Sequence, residues 1–263
     1  MKSEIVTTLT NENILKQSNE LNVARYKLGA LSLDILSLFL TQVRKGDTDF
    51  KEFRITHKML EERLNKSIQR DDLRKIPKDI MSNPFYLQEG KTKRYFNWCS
   101  NIAYNESEHW LEFKMDNDLK KHVINVKKEF VLTDLSYITK LKNTYSKRMY
   151  SLIKQFESTG FYRVSVDKLS DTLDTTSKYA SYGDFKKRCI TPSLKQINEF
   201  SDLYVTLREI KSGRRVTRLE FTIKVVIEKV KKAKKYSTTG NKKGVDAVED
   251  WLNEDNVIDT EIA

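Results

Sequence analysis

The feature that most narrows what this 263-residue chain can fold into is an internal repetition. Phe53-Arg54-Ile55-Thr56 leads into Leu60 and Leu64, and Tyr162-Arg163-Val164-Ser165 leads into Leu169 and Leu173 with the same internal spacing. Asp72-Leu73-Arg74-Lys75 is echoed by Asp184-Phe185-Lys186-Lys187, and Leu111-Glu112-Phe113 by Leu219-Glu220-Phe221. The offset stays at about 110 residues, the size of one small domain. A repeat of that period implies two related domains in tandem, each long enough to bury a core of its own.

Within each copy the order is short strand, helix, basic helix and β-hairpin. That order is the outline of a winged helix-turn-helix, a fold that places one helix in the DNA major groove. The expected class is therefore α+β, with two tandem winged-helix domains related by internal duplication and a short acidic C-terminal tail. The expected divisions are a flexible N-terminus over 1–13, a first domain over 14–125, a second over 126–230, and a basic linker with the tail over 231–263.

In the first domain, Ser18 or Asn19 caps a short helix reaching Tyr26, because a side-chain oxygen there satisfies free backbone N–H groups. Ser32 precedes a mostly buried helix through Val43, ended by Lys45-Gly46-Asp47. Phe53–Thr56 is a strand, and Thr56 caps the helix bearing Met59, Leu60 and Leu64. The next helix, about Ser67 to Met81, sets Leu73, Ile76 and Ile80 on one line and Arg70, Arg74 and Lys78 on another. Asn83-Pro84 stops it. Three strands follow: Phe85–Gln88, Arg94–Tyr104 and Trp110–Met115, with turns at Glu89–Lys93 and Asn105–Glu108. A short helix over Asp116–Ile124 closes the domain. The second domain reads as a strand at Phe130–Thr133, a helix from Thr144 to Ser158 broken by Gly160, and a strand at Tyr162–Val166. A helix at Asp167–Leu173 and a long helix from Gly183 to Phe200 come next. Pro192 lies inside that long helix and removes a donor, which predicts a kink or restart. Leu203–Ile210 and Val216–Val225 form a hairpin around Lys211-Ser212-Gly213-Arg214-Arg215.

The formal charge is +11. Residues 244–263 contribute seven acidic side chains and no Lys or Arg, so the remainder carries +18. A body this basic favours a polyanionic partner, nucleic acid above all; the plain alternative is a charge that serves solubility. In the tail, Val245, Val248, Trp251 and Leu252 form a small apolar stripe beyond the linker Ser237–Asn241. It reads either as a docking helix or as chance spacing.

Affinity for duplex DNA comes mostly from cations on phosphates, and specificity from side chains that reach base edges. In the second domain Phe185, Cys189 and Ile190 can anchor the basic helix on the core. Lys186, Lys187 and Arg188 then face a groove, with Ser181 and Tyr182 at its N-terminal end; Arg or Lys there can donate to guanine O6 and N7. Lys211, Arg214, Arg215 and Arg218 on the hairpin suit a neighbouring backbone or minor groove, and the turn with Lys91, Lys93 and Arg94 reads as its first-domain counterpart. Gln69, Arg70, Arg74 and Lys78 are the first-domain helix candidates, and could equally face a second protomer or a host protein. For each cluster the alternative is a solvated basic face.

Enzymatic signals are poor. His57, His109 and His122 form no His-x-His or His-Glu-x-x-His pattern, so no metal site and no cofactor is expected. No phosphate-cradling Gly-x-x-x-x-Gly-Lys-Ser/Thr loop occurs, and no activating cluster stands beside any Tyr. Cys99 and Cys189 read as reduced, buried thiols of a cytosolic protein. No apolar run approaches the roughly 18 residues of a membrane helix.

Phe130-Val131-Leu132 followed by Tyr145-Ser146-Lys147-Arg148-Met149-Tyr150-Ser151-Leu152 resembles one block of the plasmid replication initiators that bind iterons. Asp184–Arg188 with Leu194-Lys195-Gln196-Ile197-Asn198 resembles the next block, and Leu203-Tyr204-Val205, Gly213-Arg214-Arg215 and Leu219-Glu220-Phe221 the last. Gln17-Ser18-Asn19-Glu20-Leu21 is similar to the family's opening, so the resemblance spans about residues 14–227. It implies a bacterial, cytoplasmic, non-enzymatic initiator whose two winged-helix domains bind direct repeats at a plasmid origin. It also implies a monomer that initiates, in equilibrium with a homodimer, formed largely through the first domain, that binds an operator inverted repeat and represses its own gene. The strongest base contacts would come from Lys186, Lys187 and Arg188. The host initiator, helicase and primase would be recruited as an AT-rich region melts. Pro192 and the acidic tail depart from the family pattern. The rival readings are a dedicated winged-helix transcription repressor, a rolling-circle nicking enzyme, and an adaptor acting through its tail.

Overall fold

The computed structural model describes residues 7–8, 13–44, 46–124, 126 and 129–226. The expected linker, acidic tail and apolar tail stripe, and the loose N-terminus apart from Thr7–Thr8 and Asn13, lie outside the described residues. In chain order the first elements are β1 (Thr7–Thr8), β2 (Ile14–Ser18), α1 (Asn19–Val23), α2 (Ala30–Leu40), β3 (Phe53–Thr56), α3 (His57–Leu64) and α4 (Arg70–Met81). Next come β4 (Phe85–Glu89), β5 (Thr92–Phe96), β6 (Cys99–Tyr104), β7 (Trp110–Met115) and, after a 3-10 turn, α5 (Lys120–Val123). Then follow β8 (Phe130–Asp134), α6 (Leu135–Lys140), α7 (Thr144–Lys154), β9 (Phe161–Ser165), α8 (Val166–Thr172) and α9 (Tyr182–Phe185). A π-helical segment (Lys186–Ile190) leads into α10 (Thr191–Phe200), and β10 (Leu203–Ser212) and β11 (Arg215–Val225) end the described chain.

Each repeat closes on itself through its own two echoed segments. In the first, Phe53 opposes Phe113, Arg54 opposes Glu112 and Ile55 opposes Leu111. In the second, Tyr162 opposes Phe221, Arg163 opposes Glu220 and Val164 opposes Leu219. Alternation sends Phe53, Ile55, Leu111 and Phe113 into the core, as it does Leu219 and Phe221. The intervening Arg and Glu meet across the strands outside: Arg54 Nη2 lies 2.7 Å from Glu112 Oε2, and Arg163 pairs with Glu220. Exposed pairs of this kind add little to stability, about 0–1 kcal/mol; opposite charges directly across a ladder do help fix register, because a slip by one residue would bring charge against apolar side chains.

The strand ends then start helices the same way. The Thr56 hydroxyl accepts from the Met59 N–H and the Ser165 hydroxyl from the Lys168 N–H, so each echoed segment ends in an N-cap. Leu60 and Leu64 on α3, and their echoes Leu169 and Leu173, are all buried. The three-stranded unit is β3-β7-β6 in one copy, extended at its edge by β1, and β9-β11-β10 in the other. Helix, second helix and hairpin, packed in this order on a matching sheet, make two winged-helix units.

Several local expectations are corrected. The middle strand expected over Arg94–Tyr104 is two strands, because buried Trp98 turns the chain between β5 and β6. β4 and β5 form a separate hairpin, so the topological counterpart of β10–β11 is β6–β7, with the turn at Asn105–Glu108, and not the Lys91–Arg94 hairpin. α2 starts from Gly29, ahead of Ser32, whose hydroxyl instead donates to Asp79 Oδ2 at 2.5 Å, and it ends at Leu40. α4 starts at Arg70 with Gln69 as N-cap, and Pro77 stands inside it. α7 ends at Lys154, before the turn that Gly160 completes with φ 75°. Thr7–Thr8 is no loose segment but pairs in parallel with Phe53–Arg54.

The two units share one continuous buried apolar cluster where separate cores were expected. β8 pairs antiparallel with β2, Ser18 opposing Phe130 and Ile14 opposing Asp134. Behind that pair, α7 supplies three buried cations, Lys147, Arg148 and Lys154, of which the first two reach the first unit. Arg148 donates to the carbonyls of Ala24 at 2.6 Å, Tyr26 at 3.1 Å and Thr172 at 2.8 Å, with its guanidinium 3.5 Å from the Tyr26 ring centre. Lys147 and Lys66 each lie 2.5 Å from the buried Asp34 carboxylate. Burial pushes the Asp34 carboxyl above the usual carboxylate range while the two ammoniums pull against it, and burial brings Lys147 down to about 8. Nearer the surface, Arg25 bonds Asp174 at 2.7 Å and Asp171 at 2.5 Å. Asp34→Ala would leave Lys147 and Lys66 without their carboxylate and is expected to cost about 3–5 kcal/mol in urea unfolding. Thr56→Ala and Ser165→Ala should each cost about 1 kcal/mol in the same measurement, the matched losses of two equivalent caps.

Candidate nucleic-acid interface

The second unit's basic helix runs from Tyr182 to Phe200. Ser181 caps it: its hydroxyl accepts from the Asp184 N–H at 3.1 Å and donates to Asp184 Oδ2 at 2.8 Å. The restart expected at Pro192 is present: a new α-helix, α10, begins at Thr191 with Pro192 in its first turn, while Lys186, Ile190 and Thr191 keep helical dihedrals and the backbone runs on through the π segment. The turn before Pro192 widens, so that the Thr191 N–H reaches the Lys186 carbonyl, five residues back. Proline offers no N–H and crowds the preceding turn, and a π turn accommodates both effects. The extra residue also resets the helix register. Phe185, Cys189 and Ile190 are all buried although the last two are neighbours in sequence, and Lys187 and Arg188 are both exposed.

The other predicted residues fall into two groups. Lys187, Arg188, Arg214 and Arg215 are exposed and have no ion-pair partner among the described residues; Lys211 and Arg218 are also exposed. Arg214 follows Gly213 in a two-residue turn, where the glycine φ of 59° suits a residue without Cβ; Lys211 and Arg215 lie on the strands themselves. Tyr182 and Lys186 are engaged: the Tyr182 hydroxyl donates to Glu209 on β10, and Lys186 Nζ lies 2.7 Å from Glu209 Oε1. Those two bonds, Lys186 first, hold the Glu209 carboxyl below the usual range, and burial together with Glu209 raises the Tyr182 phenol.

In the first unit Gln69, Arg70, Arg74 and Lys78 are all exposed, Gln69 as the N-cap and the three cations along one line of α4. Leu73, Ile76 and Ile80 hold the opposite face in the core. Arg74 Nε lies 3.6 Å from Glu106 Oε1 in the β6–β7 turn. Lys91, Lys93 and Arg94 are exposed on the separate hairpin, and Lys93 Nζ lies 5.4 Å from the Tyr86 ring centre. The structure thus brings the start of the basic helix against the β10–β11 hairpin, through Tyr182 and Lys186 on Glu209, and sets Lys91–Arg94 on a hairpin apart from the first unit's own wing. Sequence reasoning missed Glu209 and Glu106, whose partners on the basic helices are brought to them only by the tertiary fold.

The remaining chemistry-bearing groups are structural. His57 Nε2 lies 2.7 Å from the Ile68 carbonyl, His109 Nδ1 3.0 Å from the Tyr104 hydroxyl, and His122 is buried beside Ser18. Among the described residues no group of three or more His, Cys, Asp or Glu could hold a metal, and no helix is long and apolar enough to cross a membrane. Cys99 and Cys189 are free, buried and about 90 sequence positions apart, and burial raises both thiols, Cys189 to about 12.

Comparison with known proteins bears on the same two units. Residues 14–154 match the family model described as "Initiator Replication protein, WH1", and residues 165–223 the one described as "Initiator Rep protein, WH2". A protein of Bifidobacterium longum (strain NCC 2705) called "Probable replication protein rep" is 23% identical over 221 residues, covering 81% of this chain and 73% of its own length. An "Uncharacterized 27.6 kDa protein" of Escherichia coli is 24% identical over 226 residues, covering 78% of this chain and 94% of its own. Among solved structures, the Pi initiator protein in complex with iteron DNA superposes with a TM-score of 0.66 at 18% identity, over 82% of this chain and 98% of that one. Ser181→Ala removes the cap of the basic helix and is expected to cost about 0.5–2 kcal/mol, read as a lowered thermal midpoint.

Proposed function

The chain belongs to the initiator replication protein family, and on that premise we propose that it binds direct repeats at a plasmid origin as double-stranded DNA and initiates replication there. The observation that carries this reading is the outward pair Lys187–Arg188 on a helix whose opposite face is locked into the core. A helix so held can enter a major groove with its cations leading, and Arg or Lys can then donate to guanine O6 and N7. Arg214, Arg215 and Arg218 on the adjoining hairpin suit phosphates. α4, with Arg70 and Lys78, serves the first unit in the same way, and Lys91, Lys93 and Arg94 add backbone contacts. The likeness to a solved initiator bound to iteron DNA supports the choice of ligand.

The buried junction between the units supports a second element of the reading. Arg148, which donates to Ala24 and to Thr172, and Arg25, which pairs with Asp171 and Asp174, tie the units together, which suits two reading helices presented at a fixed separation. Fixed separation suits half-sites one turn apart, about 10 base pairs. Repression of its own gene as a homodimer, recruitment of host initiator, helicase and primase, a cytoplasmic setting and action without covalent chemistry complete the proposal. A supercoiled-plasmid nicking assay with Mg²⁺ or Mn²⁺ tests the last of these, and cleavage would refute it.

The test of the reading helix is a comparison of two duplexes, one carrying the repeats that flank the gene and one of random sequence. Lys187→Ala or Arg188→Ala is expected to cost about 1–3 kcal/mol on the repeat and less on random DNA, narrowing the ratio. Lys91→Ala should weaken both duplexes alike and lower the salt slope by about 0.9. Equal losses on both duplexes for the helix variants would reject this helix as the reader.

A further inference from the structure

The two repeats share one more device, visible only once the wings are in place. Arg74 and Lys186 occupy the same position of the echoed segments Asp72-Leu73-Arg74-Lys75 and Asp184-Phe185-Lys186-Lys187. Each is met by a carboxylate from its own wing hairpin: Glu106 in the β6–β7 turn, 3.6 Å from Arg74, and Glu209 on β10, 2.7 Å from Lys186. The two glutamates are not echoes of each other. Glu209 opposes Leu219, whereas the first-unit residue opposite the equivalent Leu111 is Tyr104. The two units reach the same contact from different positions.

We infer that Glu209 and Glu106 are specificity-determining residues, which hold the cation at the duplicated reading-helix position against the wing and so keep it off the phosphates of unmatched DNA. The inference rests on the reading of α4 and the Tyr182–Phe200 helix as DNA-facing. Electrostatic attraction to phosphate is the same for every sequence, so each cation that is free to join it strengthens non-specific binding. Lys187 and Arg188 have no ion-pair partner among the described residues and join that interaction directly. Lys186 is half-exposed, within reach of DNA, yet must leave a carboxylate to do so. Glu209 is not a loose surface acid. The Tyr182 hydroxyl, donated from the first turn of the same helix, holds the carboxylate in place, and its depressed pKa keeps it charged throughout the neutral range. Only a site that offers Lys186 more than Glu209 does draws it away, and a matched base edge in the groove is such a site. Arg74 has the looser version of the same arrangement, so its contribution is the smaller.

The experiment measures log K against log salt concentration for the full chain on a short random-sequence duplex, with thermal unfolding alongside to confirm that each variant is folded. Glu209→Gln removes the charge and keeps hydrogen-bonding capacity for Tyr182. It should tighten binding and steepen the slope by about 0.9, the value of one added phosphate contact. Lys186→Gln should leave the slope of the parent protein unchanged, and the double variant should return to it. A parent slope that falls by about 0.9 in Lys186→Gln, or one unmoved in folded Glu209→Gln, overturns the inference. Lys187→Ala separates the two levels. If it lowers the slope while Glu209→Gln raises nothing, the reading helix stands and the wing carboxylate has no such role. If it too leaves the slope unchanged, the helix does not face DNA and the inference falls with it.

Discussion

A guanidinium buried between two halves of a protein must find acceptors for its donors or expel itself into water. Arg148 finds three backbone carbonyls, two from the segment after α1 and one from the end of α8, and stacks on Tyr26. Those carbonyls are fixed by their own elements, so a single side chain on α7 sets how the first unit's opening segment sits against α8. The buried Asp34 carboxylate does the same between α2, α7 and the loop after α3, with Lys147 also donating to the Ile138 carbonyl. Buried ionic contacts of this kind contribute little net stability against an apolar alternative, and their usual value lies in selecting one arrangement. Here the arrangement selected is how the first unit's opening segment sits against α8.

The same logic divides the chain's basic residues. Lys147, Arg148 and Lys154 are cations turned inward, each paired or hydrogen-bonded in the core. Arg54 and Arg163 are spent on register beside the sheets. Arg74 and Lys186 are held by wing carboxylates. A count of lysines and arginines therefore overstates the charge presented to a polyanion, and what remains outward and unpaired among the described residues includes Lys187 and Arg188 on the π turn, Arg214 and Arg215 on the β10–β11 hairpin, and Arg70 and Lys78 on α4.

Much of this was legible in the sequence because it is local. The cap at Thr56 and the leucine pairs at Leu60 and Leu64 and at Leu169 and Leu173 follow from hydrogen-bonding residues at strand ends and from helical spacing, and the repetition made the leucine reading twice supported; the Ser165 cap and the Arg–Glu cross-strand pairs appear only in the structure. The wing assignment failed in the first unit because the β4–β5 hairpin is an insertion with stronger basic character than the wing itself, whose turn carries Glu106 and Glu108. Pro192 announced the restart at α10, because an α-helix interior has no place for it, but nothing in local composition announces the π turn that joins the two helical parts. Lys147-Arg148 lay unread as junction residues since a basic dipeptide on an amphipathic helix looks like surface until its long-range partners, more than 100 positions away, are known.

The pairing of β2 with β8 has a consequence for how the chain acquires its structure. Residues 14–18 find their ladder partner only at residues 130–134, so during synthesis β2 waits while more than a hundred later residues emerge. Closing so long a loop is entropically expensive and slow compared with forming α2 or the hairpins nearby. The start of the first unit is thus sealed by chain that follows its own wing, and an arrested or prematurely truncated product would display an unpaired strand edge.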